Sequence, residues 1–123
     1  MARGLPGPGA FVLRSWALAN ADTLVRDIQA CMAGHRWAMN PASKATAVAL
    51  LGERLKLAPD VAEKGWEAAT DPVGGFAKGA RFDVEGVKDT LKLRAELEGA
   101  DRPASPAERY YDLSYYERAL SGL

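Results

Sequence analysis

Asn20-Ala21-Asp22-Thr23-Leu24-Val25-Arg26-Asp27-Ile28-Gln29-Ala30-Cys31-Met32-Ala33-Gly34-His35-Arg36-Trp37-Ala38-Met39 reads as one amphipathic helix. Leu24, Val25, Ile28, Cys31, Met32, His35 and Met39 fall within about 120° of a helical wheel, a single apolar stripe. Asn20 is placed to cap the helix, and Asp22 puts an acid in the first turn, where it suits the helix dipole. Trp37 lies off the stripe and faces a second surface. A stripe of this length at helical period makes the chain mainly α.

Working outward, the same grammar recurs. Asn40-Pro41 is a cap followed by proline, opening a helix expected to run to about Leu55 and to bury Val48, Leu51 and Leu55, with Leu50 and Leu57 pointing elsewhere. Pro59-Asp60 opens a third, with Val61, Ala62, Gly65, Trp66 and Ala69 on one side. It ends at Asp71-Pro72, because a residue before proline resists the helical region. Residues 72–82 hold three glycines and one proline and read as a loop. Asp83 caps a fourth helix with Val84, Val87, Leu91 and Ala95 in its stripe, Leu93 and Leu97 opposite, and Gly99 at its end. Residues 1–9 read as loop and 100–104 as a linker. The run Ala10-Phe11-Val12-Leu13 fits a strand end, a helix start or a remnant of either.

The C-terminal stretch gathers all four tyrosines into Tyr110, Tyr111, Tyr115 and Tyr116. Ser105, Pro106 and Glu108 read as a capping box with proline at the first helical position, and Asp112 as a further cap for Ser114 or Tyr115. So aromatic an end is expected to dock on something, within these residues or outside them. The fold expected is four to five helices without a convincing strand, forming one helical domain over residues 10–123. Several helices carry apolar residues on two sides, more than a lone bundle of this size needs. A second layer is expected to cover them.

With 123 residues, the chain is one domain at most and long enough to bury about two thirds of its unfolded surface. Sixteen basic and sixteen acidic residues balance, which argues against nucleic acid or an anionic membrane as partner. No apolar run approaches the roughly 18–20 residues that span a bilayer, and the Pro- and Gly-broken start is not a signal peptide. Cys31 and His35 are the only cysteine and histidine, so neither an internal disulfide nor a cysteine-based or multi-histidine metal site can be built. No cofactor is expected.

Three patterns invite a chemical reading. Cys31 and His35, four apart on one helix face, have the spacing of a nucleophile and its base. Both also belong to the apolar stripe, where a buried cysteine is inert. Gly74 and Gly79 have the separation of a phosphate loop, but Ala80-Arg81 stands where Lys-Ser/Thr is required. The plainer reading is a glycine turn. The tyrosine cluster could stack bases or sugars, but its local charges nearly cancel, and burial of the rings accounts for it equally. Trp16, Trp37 and Trp66 read as core or interface.

Arg14-Ser15-Trp16-Ala17-Leu18-Ala19-Asn20-Ala21-Asp22-Thr23-Leu24-Val25-Arg26 resembles a stretch of the substrate-binding proteins of ABC transporters. The subgroup is that of the nitrate-, sulfonate- and taurine-binding proteins and the thiamine-pyrimidine family. Gly34-His35-Arg36-Trp37, Asn40-Pro41, Ala45 to Leu55, Gly74-Gly75-Phe76-Ala77 and Tyr110-Tyr111-Asp112-Leu113-Ser114-Tyr115-Tyr116 continue it in order, over roughly residues 10–120. Ala21 departs from it, standing where the family often has proline. The resemblance implies a two-lobed α/β receptor, periplasmic or lipid-anchored, that closes on a small organic solute and delivers it to an ABC permease. It implies that this chain matches only the C-terminal helical part, is not an enzyme, and is not competent to bind alone. Arg14 and Trp16, nearest the expected hinge crossing, are the candidate ligand residues, and no metal is implied. The competing expectations are a free-standing helical module that associates through its surplus apolar faces, and an enzyme fragment related to thiamine-pyrimidine synthesis.

Overall fold

Capping chemistry and proline placement set most of the helix boundaries. The computed structural model describes residues 9–99 and 105–122, so the expected N-terminal loop (apart from Gly9) and the 100–104 linker lie outside the described residues. Among these described residues there are six α-helices: α1 (Arg14–Ala19), α2 (Ala21–Ala38), α3 (Lys44–Leu55), α4 (Pro59–Thr70), α5 (Val84–Glu98) and α6 (Ser114–Ser121). Short 3₁₀ turns lie at Pro41–Ser43, Lys78–Ala80 and Ala107–Arg109, and the described residues contain no strand. The chain is mainly helical, as its periodicity indicates, but the count is six because Arg14–Ala19 forms a helix of its own.

Asn20 accounts for that extra helix. Its side-chain amide donates to the Trp16 carbonyl at 3.0 Å, closing α1, while its own carbonyl accepts from Leu24 N–H at 3.0 Å, opening α2. Asn40 Oδ1 accepts from Ala42 N–H at 2.9 Å, and Asp83 Oδ1 from Gly86 N–H at 2.9 Å, so both act as caps in the way their positions imply. Gly99, at φ 104°, ends α5. The capping box at Ser105 does not form. Pro106 occupies the cap position of a three-residue 3₁₀ turn without a side-chain bond. The turn starts one residue later than the box requires, so the cap position falls to a proline, whose side chain has no acceptor, and Ser105 lies outside it. Asp112 does accept from Ser114 N–H at 3.0 Å, but from one position before Leu113, which takes the cap position of α6.

The chain divides into two compact units: residues 1–26 with 81–123, and residues 27–80. In the second, α3 and α4 form an antiparallel-type hairpin around small residues. A Cβ placed on Gly52 would meet Ala62 Cβ at 3.7 Å, and one on Gly65 would meet Leu51 Cδ2 at 3.3 Å. Trp66 Nε1–H donates to the Ala38 carbonyl at 2.8 Å, fastening α4 to the end of α2. In the first unit, Phe82 packs on Tyr111 with ring centroids 5.6 Å apart. Arg118 meets Asp22 at 2.8 Å, joining α6 to the first turn of α2.

What is buried is small. Among the described residues the buried apolar ones are Ala17, Met32, Ala47, Ala62, Ala107 and Ala119, and no large side chain is fully buried. Leu55 and Val61, expected inside, are 60% and 47% exposed, and Cys31 is exposed as well. These positions are helical as their period implies, but a stripe tells only which face is apolar, not whether anything covers it. Leu93 and Leu97 project away from the α5 stripe, as expected, at 45% and 79% exposure.

Candidate functional site

Arg14 and Trp16 sit in the first turn of α1, both exposed. Residues two apart on a helix point to different sides, so the two cannot grip one small solute from α1 alone. Arg14 does act at a distance. The Asp112 carboxyl is held below the usual carboxylate range first by the Ser114 hydroxyl, then by Ser114 N–H, with the Arg14 charge adding a smaller share.

Cys31 and His35 lie on one face of α2 but make no hydrogen bond with each other. The Cys31 thiol is exposed, whereas His35 Nε2 is closed from solvent without a hydrogen-bond partner. The imidazole meets the Phe76 ring edge-on, 6.2 Å between centroids. A base that activates a thiol must reach it, and this imidazole is committed to the turn after α4 instead. That turn explains the glycine pair. Asp71 Oδ1 accepts from Val73 N–H at 2.8 Å and Gly74 N–H at 2.7 Å, and Phe76 N–H donates to the Ala69 carbonyl at 2.8 Å. These amides, Gly74 first, hold the Asp71 carboxyl below its ordinary range. A Cβ on Gly75 would come within 2.5 Å of the Ala69 and Asp71 carbonyl oxygens, so only glycine fits. The segment is therefore a turn whose amides serve an internal carboxylate, not a phosphate.

The aromatic terminus is partly docked within the chain. Tyr111, Tyr115 and Tyr116 are half-buried and Ala119 is fully buried, while Tyr110 remains 52% exposed. The rings thus serve mainly to seat the end of the chain in its own unit, against Phe82 among others.

Sequence reasoning did not single out the α3–α4 surface. Lys44 lies between Glu63 at 2.7 Å and Glu67 at 3.1 Å, with its ammonium 5.4 Å from the Trp66 ring centroid. The hydrogen bonds that the Lys44 ammonium donates to Glu63 and then Glu67 raise its pKa, and Lys44 lowers that of Glu63. Beside this clasp an open groove of about 410 Å³ is lined by Val48, Gly52, Leu57, Pro59 and Ala62 among others. The signal for it was present: small residues at helical spacing (Ala45, Ala49, and Gly52 facing Ala62) let two backbones approach. Among the described residues no group of three or more His, Cys, Asp or Glu side chains could hold a metal ion. No helix among them is long and apolar enough to cross a membrane.

No family model, curated protein or solved structure matches the chain.

Proposed function

We propose that this chain is the C-terminal helical portion of the solute-binding component of an ABC importer. Its solute is a small organic molecule of the nitrate, sulfonate or taurine type, and its partner is the cognate permease. The observation that carries the reading is the mismatch between apolar side chains and cover. Trp16, Leu18, Trp37, Leu50 and Leu55 are 42–72% exposed, while among the described residues the buried positions are five alanines, Met32 and Gly86. Helices of a two-lobed receptor are built to lie against a sheet, and the described residues contribute none. The collinear motifs from Arg14 to Tyr116 support the same reading. In it the protein works outside the cytoplasm, performs no chemistry, and needs the remainder of both lobes to close a cleft.

The test uses the native product. An antibody against residues 105–122 should detect in the source cells a species well above 13.2 kDa. Its melting temperature should rise with at least one of taurine, an alkanesulfonate, nitrate or a thiamine pyrimidine. A 13.2 kDa product that responds to none of them rejects the proposal. A second reading, self-association of a free-standing helical module, draws on the same uncovered faces. Sedimentation of the 123-residue chain as a dimer with a cooperative melt would favour it over the receptor portion.

A further inference from the structure

We draw no further inference here: the strongest candidate, the side-chain cluster of Cys31, His35 and Phe76 between α2 and the turn after α4, holds one solvent-shielded imidazole nitrogen and one exposed thiol with no third donor and nothing in the structure to show what would occupy it.

Discussion

Gly75 is the residue at which the backbone leaves least choice. Its missing side chain is what allows the Ala69 and Asp71 carbonyls to close over the turn. Gly75→Ala should therefore lower stability by about 1–3 kcal/mol, the usual cost of forcing atoms into filled space, measured by urea denaturation followed at 222 nm. Asp71 fastens the same turn from the other side. Because its folded pKa is depressed, its contribution is present above the unfolded value near 3.9 and is lost as pH falls through the folded value. Hydrogen exchange at the Val73 and Gly74 amides should accelerate, relative to the intrinsic rate, as pH drops below about 4. In Asp71→Ala that extra acceleration should vanish, and a wild-type-like pH profile in the variant would remove the carboxylate from the account.

Among the elements, α3 ends on a non-glycine residue in an unfavourable backbone conformation. Lys56 closes it in the left-handed region, at φ 56° and ψ 40°, with Leu57 N–H returning to the Gly52 carbonyl at 3.0 Å. A side chain there costs about 1 kcal/mol that glycine avoids, so Lys56→Gly should raise the urea midpoint with an unchanged slope. Element by element, the sequence was most legible where a boundary rests on local chemistry. Asn40, Asp83, Gly99 and Pro72 each act within a few residues, and each element boundary they mark stands. It was least legible where the outcome depends on neighbours far away in the chain. Asn20 marks the start of one helix in the sequence, and nothing local says that the six residues before it also coil. The Lys44 clasp spans 19 and 23 residues to its two glutamates, and no pattern on α3 alone announces it. The Cys31 and His35 spacing does put both on one face of α2. What decided their chemistry was Phe76, 41 residues on from His35.

At the scale of the whole molecule, helix formation and core formation are separable. Caps, prolines and the α3–α4 clasp fix the elements, but burial of five alanines and one methionine supplies little of the area that holds a domain of this length together. The 123-residue chain alone should give a strong helical far-ultraviolet signal and a weak near-ultraviolet signal from its three tryptophans, and should bind the dye ANS. A sharp near-ultraviolet spectrum with a cooperative melt would mean that the uncovered faces find cover in a second copy, and would shift the balance to the self-associating module. Tryptophan is the right reporter, since Trp16 and Trp37 lie on the uncovered surface and Trp66 in the α3–α4 hairpin.

The bond between Arg118 and Asp22 joins positions 96 apart, and the unit it belongs to is assembled from both flanks of residues 27–80. Every contact of that unit across its two segments closes a long loop, with an entropy cost that local pairings such as Lys44 with Glu63 largely escape. Refolding should accordingly be sequential. The α3–α4 hairpin forms first from contacts close in the chain, and the discontinuous unit follows, its rate set by how soon residues 105–122 find the start of α2. An intermediate with the hairpin formed and α6 still adrift would leave the tyrosines exposed, and is the species in which this chain is most open to mispairing with another.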